Sequence, residues 1–313
     1  MELRQLRYFI GVSEAGSLLK ASARLHVAQP ALGQQISALE AHVGAKLLQR
    51  SSRGVTLTEA GKVFLDHAKV VLADAERARQ AVRETSSVPR GEVVIGLPTT
   101  VALAATVPIL RACRERLPLV LPKVVEAYSG YLREWLQQGR LDFAVLYGAQ
   151  AETGLTKQPL LDERLALVSG SEGSRAVKRV SLAELARWPL ILPGHEHGLR
   201  RIIDDACAAH GLTLNVVAEI DSLTSVKRAV EANLGSTVLP LGAVAEEAAA
   251  GRLRASVIDS PGMTRRIVSA TSVTRPTTPA CAAVISLAQE IMRDMVTAGT
   301  WPARWVGDAS GDA

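Results

Sequence analysis

Residues 17–40, SLLKASARLHVAQPALGQQISALE, hold two short helical patterns around a break at His26-Val27-Ala28. Leu18, Ala21 and Leu25 recur at i, i+3 and i+7, and Leu32, Ile36 and Leu39 at i, i+4 and i+7. Each set is one apolar face of a helix. Ser17 has the hydroxyl of a helix cap, and Pro30 suits a first turn, where its missing N–H costs nothing. Two helices joined by so short a turn cross steeply, the geometry of a helix-turn-helix. The second helix then presents Gln29, Gly33, Gln34 and Ser37 outward, with Gln35 beside them. An amide-rich face without carboxylates suits a DNA groove, since Gln can bond an adenine edge through two hydrogen bonds. A solvated helix in plain helical packing accounts for the same spacing, so the surroundings must decide.

Charge distribution favours the first reading. Residues 1–90 hold 13 Lys+Arg against 8 Asp+Glu, whereas residues 91–313 hold 23 of each, so the net charge of +5 sits at the N-terminal end. A basic head on a neutral body is the footprint of a nucleic-acid-binding module attached to another domain. At 313 residues the chain has length for two or more domains of about 150 residues. No run approaches the ~18 apolar residues of a membrane span, and MELRQLRYF lacks the pattern of a signal segment, so a cytoplasmic protein is expected. Cys113, Cys207 and Cys281 are widely spaced without C-x-x-C and read as buried thiols.

Leu3, Leu6, Phe9 and Ile10 mark a first amphipathic helix. Arg50-Ser-Ser-Arg53-Gly54 followed by Val55 and Leu57 reads as a hairpin wing whose arginines can touch phosphate or enter a minor groove; a solvated loop is the other reading. Thr58 caps a long helix running to about Thr85, with a second register opening at Thr56. Phe64, Val71 and Ala78, with Ala68, Ala75 and Val82, form a seven-residue seam. That seam predicts a dimerisation helix, or else a helix laid along the second domain. Residues 86–91, SSVPRG, are a linker by composition. This divides the chain into 1–58, 59–87 and 88–313, with 307–313 frayed. Beyond the linker, strand and helix patterns alternate, which predicts a mainly parallel sheet in two α/β lobes joined by crossing strands. A cleft between such lobes is a favoured small-molecule site. The chain has no G-x-S-x-G, G-x-G-x-x-G or P-loop. His195-Glu196-His197 has no third ligand nearby, so neither an enzyme nor a metal site is expected. A solute-binding protein would explain residues 91–313 and leave the basic head unexplained.

MELRQLRYF, LHVAQPALGQQISALE and RGVTLTEAG, with GEVVIGLPTT, LDFAVLYG and LGSTVLP further on, resemble the LysR-type transcriptional regulators along nearly the whole chain. The phrasing looks most like their nitrogen assimilation control branch. The resemblance implies an α/β multidomain protein. Its parts would be a winged helix-turn-helix, a linker helix and a two-lobed effector domain similar to type 2 periplasmic binding proteins. It implies a homodimer or dimer of dimers on inverted repeats in promoter DNA, activating or repressing transcription, with RNA polymerase as a further partner and no cofactor. Carried over by position, the DNA-contacting set is Lys20, Gln29, Pro30, Ala31, Gln34, Gln35, Arg50 and Arg53. Gly33 stands where the family often has Ser, and Gln34 where it often has Arg. The effector-contacting set is Thr99, Thr100, Ser129, Tyr147, Leu199 and Thr224. Free N–H groups and the helix dipole at Thr99 and Thr100 favour an anion, although both residues could simply cap the helix. Members of that branch are not generally held to need a co-inducer, so a vestigial cleft is the alternative.

Overall fold

The computed structural model describes residues 1–51, 54–83, 88–171 and 178–308. The chain forms two compact units that part between Val88 and Pro89.

The N-terminal unit comprises α1 (Leu3–Ala15), α2 (Leu18–Leu25), α3 (Gln29–Val43), the hairpin β1 (Leu48–Ser51) and β2 (Gly54–Leu57), and α4 (Glu59–Arg83). Ser17 caps α2 by accepting from Lys20 N–H, and His26 ends it in the left-handed region, at φ 54°. Pro30 occupies the first turn of α3. Leu6, Phe9, Ala21, Leu32, Ile36, Leu39 and Leu47 make the core. Thr58 caps α4 by accepting from Gly61 N–H at 2.9 Å, which selects the Thr58 register over Thr56. The seam of α4 divides its labour. Phe64 stacks edge-on against Phe9 at 5.3 Å and Ala68 is buried in the same core, whereas Val71 and Ala78 are exposed. The side chain of Val82 lies outside the described residues.

Glu40, the single acid of α3, is turned into this unit. Its carboxylate accepts from the N–H groups of Leu47 (2.9 Å) and Leu48 (3.1 Å) and from Lys46 Nζ (2.7 Å). Burial alone would raise its pKa; Lys46 and the two N–H groups outweigh that and hold it below the usual carboxylate value. Glu40→Gln is therefore expected to lower the unfolding free energy of this unit by about 1.5–3 kcal/mol at neutral pH. A carboxylate with a depressed folded pKa stabilises above its unfolded value, here 4.5, and the contribution disappears as pH falls through the folded value. Denaturant titrations of parent and variant should thus differ at neutral pH and converge in acid.

The C-terminal unit has two lobes. The first opens with β3 (Gly91–Leu97), α5 (Thr99–Arg116), β4 (Val120–Glu126), α6 (Ser129–Gln137), β5 (Phe143–Tyr147) and the start of β6 (Leu155–Gly170). The second holds β7 (Arg179–Val180), α7 (Leu182–Leu185), β8 (Leu190–Leu192), α8 (Gly198–Ala208) and β9 (Val216–Glu219). It continues with α9 (Leu223–Glu231), β10 (Thr237–Pro240), a 3₁₀ turn (Leu241–Val244), α10 (Ala245–Ala249) and β11 (Leu253–Ile258). The chain then returns through β12 (Thr264–Ser272) to α11 (Pro279–Thr297) and β13 (Ala303–Trp305). β3 pairs in parallel with β4 and β5, and β8 in parallel with β9. The expectation of a mainly parallel sheet is corrected by the rest. β6 pairs antiparallel with β12 and β13 over its first part and with β10 and β11 over its last. One strand leaving for the second lobe and one coming back beside it must run in opposite directions. Each lobe has its own core, built around Ile95, Ile109, Phe143 and Trp301 in the first and Leu165, Leu190, Ile203 and Val238 in the second. All three cysteines are buried and none is bridged.

Candidate functional site

On α3, Gln29, Pro30, Ala31, Gln34 and Ser37 are exposed. The buried Glu40 leaves that surface free of carboxylates, so a phosphate backbone meets no acidic side chain of α3. Lys20 on α2 and Arg50 on β1 are also exposed; Arg50 stands opposite Val55 in the hairpin. Gln35 differs from the rest of its set. It is partly buried, and its Oε1 accepts from Gln5 Nε2 on α1 at 3.3 Å. Arg53, the second wing arginine, lies outside the described residues.

In the C-terminal unit, α5 begins without a side-chain cap, because its N-cap residue is Pro98. Thr99 and Thr100 therefore stand inside the first turn and do not cap it. The first intrahelical bond runs from Ala102 N–H to Pro98 C=O at 2.8 Å, so the N–H groups of Thr99, Thr100 and Val101 precede the ladder. Thr100 Oγ1 accepts from Arg265 at 2.8 Å and shares a 2.7 Å hydrogen bond with the Tyr147 hydroxyl. Arg265 lies over the Tyr147 ring, 3.9 Å from its centroid. It also donates to Glu163 Oε2 at 2.6 Å, while Glu163 Oε1 accepts from Trp301 Nε1 at 2.8 Å. Arg265 and Glu163 are each 2% exposed, so this is a desolvated ion pair. Burial raises the Tyr147 pKa, with Glu163 adding to the rise and Arg265 and Thr100 opposing it, so the phenol keeps its proton.

Counting protons shows what this cluster offers. Thr100 and Tyr147 bring two hydroxyl hydrogens, and their mutual bond uses one. Arg265 occupies a lone pair of Thr100 and is itself neutralised by Glu163. One O–H is left to donate, beside three first-turn N–H groups, which is a donor-rich corner suited to a hydrogen-bond acceptor such as a carboxylate.

From the second lobe, His197 caps α8 by accepting from Leu199 N–H through Nδ1 at 3.1 Å. Burial, then Arg265, and to a lesser extent Arg201 lower its pKa against the pull of Asp221, which keeps the ring neutral and able to accept. Tyr128, just before α6 in the first lobe, stacks edge-on against His197 at 5.1 Å and donates to the Asp221 carbonyl at 3.2 Å. These contacts bridge the lobes. Of the remaining sequence-derived residues, Ser129 begins α6 with its Oγ buried and unpartnered among the described residues. Leu199 turns its side chain into the second lobe's core, and Thr224 is exposed in the first turn of α9. The structure therefore brings Thr100 and Tyr147 together and adds Arg265, Glu163, Trp301 and Tyr128, which sequence reasoning missed, and His197, which it weighed only as a metal ligand. Glu163 and Arg265 stand 102 residues apart, and only the register of β6 on β12, which pairs them directly, makes them neighbours. His195 is held by Arg200 and Asp204, and no His, Cys, Asp or Glu cluster among the described residues can hold a metal.

Comparison with known proteins agrees with this architecture. Residues 3–62 match the bacterial regulatory helix-turn-helix protein family, lysR type, and residues 86–293 match the LysR substrate binding domain. The chain is 38% identical to the nitrogen assimilation regulatory protein nac of Klebsiella aerogenes, over 84% of this chain and 86% of that one. Among solved structures it is similar to a C206 mutant of OxyR from Corynebacterium glutamicum, 28% identical with a TM-score of 0.61, covering 95% and 94% of the two chains. It shares its fold with full-length CbnR solved with its target DNA, at 24% identity and a TM-score of 0.71, covering 94% and 99%. No helix among the described residues is long and apolar enough to cross a membrane. The chain belongs to the LysR family of DNA-binding transcriptional regulators.

Proposed function

We propose that this regulator acts in the cytoplasm as a dimer, or a dimer of dimers, on inverted repeats in promoter DNA. In this reading α3 reads base edges in the major groove through Gln29 and Gln34, and Lys20 with the wing arginines Arg50 and Arg53 holds phosphate. The exposed remainder of the α4 seam pairs with a second copy. The observation that carries the reading is the acid-free outer face of α3 in a segment that holds the chain's whole net positive charge. Similarity to nac supports a role in nitrogen-source control. The donor-rich corner at Thr99, Thr100 and Tyr147 supports an effector bearing a carboxylate or comparable acceptor. A second reading, a cleft that works without a ligand, is favoured by the Tyr128–Asp221 bridge and the self-neutralised Arg265–Glu163 pair. Titration calorimetry against small carboxylates separates the two.

Selection from a random duplex pool tests the DNA role. The recovered sequences are expected to carry an inverted repeat with half-sites about one helical turn apart or a multiple of it. Affinity for them should fall by about 10³-fold or more between 50 and 200 mM salt. A monomer that recovers no common sequence would overturn the proposal.

A further inference from the structure

The N-terminal unit contains a glycine that its own fold does not explain. Gly54 and Gly61 are required by close contacts: a Cβ would lie 2.6 Å from the Gly16 carbonyl oxygen at the first and 2.0 Å from that of Leu47 at the second. Gly11 is hemmed in by Leu25, while Gly16 and Gly44 have φ of 61° and 77° and close α1 and α3 in the left-handed region. Gly33 has none of these reasons. It lies within α3, where glycine weakens a helix relative to alanine, and a Cβ built on it meets no atom within 4 Å. It is one turn from Gln29 on one side and from Ser37 on the other, along the same edge of the helix. Both of those side chains are exposed.

We infer that Gly33 is the point at which the α3 backbone comes closest to the DNA duplex, and that its missing side chain sets how deeply α3 enters the major groove. With no Cβ, the helix surface between Gln29 and Ser37 is a shallow notch. A base edge, or the methyl group that thymine projects into the major groove, can seat in it. That seating brings the Gln29 amide and the Ser37 hydroxyl within reach of neighbouring bases. Gly33 is thus a specificity-determining position that acts by the absence of atoms. The inference rests on α3 being the base-reading helix.

Full-length Gly33→Ala and Gly33→Ser test it against duplexes that the parent selects from a random pool. Gly33→Ala is expected to raise the melting temperature of the N-terminal unit by about 4 °C or more, because only helix propensity changes. It should also weaken binding to the parent's selected sequence by about tenfold or more, with low-salt binding to unrelated duplex unchanged. Gly33→Ser should recover sequences that differ from the parent's at the base steps facing the notch. Parent-like affinity and parent-like selected sequences in both variants would overturn the inference, as would a fall in melting temperature with Gly33→Ala, which would reveal an internal need for glycine. A parent that selects no common sequence would overturn the base-reading role of α3 and this inference with it.

Discussion

Arg265→Ala is expected to lower the melting temperature of the C-terminal unit by about 6–20 °C. Removing one partner of a buried ion pair costs about 3–5 kcal/mol, and a domain of this size loses about 2–4 °C per kcal/mol. The cost arises because Glu163 stays behind at 2% exposure with Trp301 as its remaining donor among the contacts described. Thr100 loses a donor and the Tyr147 ring loses the cation above it. Calorimetry of the single variants and of Arg265→Met with Glu163→Met completes the argument. If the loss comes from an orphaned charge and not from lost packing, the double variant should regain most of the stability. An Arg265→Ala protein that melts with the parent would mean that Glu163 finds water, and that the pair is not desolvated.

Gln29→Ala should have the largest functional effect. A bidentate contact to a base discriminates by about 1–3 kcal/mol. A dimer reading two half-sites doubles that to about 2–6 kcal/mol, a loss in operator affinity of about 30-fold to beyond 10,000-fold. Because Gln29 is exposed and its amide makes no contact with phosphate in this reading, dimerisation, stability and low-salt binding to unrelated duplex should not change. Arg53→Ala is the contrasting variant: it should weaken all duplexes and reduce the salt dependence by about one phosphate per protomer. Footprints that persist in Gln29→Ala at parental concentrations would remove this residue from base reading.

The N-terminal unit was legible because its signals are local. Ser17, the Leu32–Ile36–Leu39 face, Pro30, Gly54 and Thr58 each act within a few residues of their position in the chain, and the structure forms α2, α3, the hairpin and α4 where they predict. The C-terminal unit was legible as alternating elements and less so as a sheet. Within β6 only Arg164 to Ser169 carries a continuous strand-like apolar run, because Lys157, Pro159 and Asp162 interrupt the pattern over its first part. Those residues stand at the border of β12, where ladder bonds and not an apolar face specify the strand. At the candidate cleft, Thr100 and Tyr147 were accessible from resemblance, but Arg265, Glu163 and Trp301 were not. Their meeting depends on strand register and on a C-terminal segment folded back over the first lobe, neither of which leaves a periodic trace.

The route of β6 and β12 also fixes an order of synthesis. The second lobe is one continuous stretch inserted into the first, so every residue it needs has been synthesised before β12, α11 and Trp301 exist. The earlier lobe, although its strands are made sooner, must wait for about 45 further residues, a few seconds at ordinary elongation rates. In that interval Glu163 has neither of its partners, Arg265 nor Trp301, and the half-built sheet exposes an unpaired β5 edge. The portion translated first is thus the portion completed last.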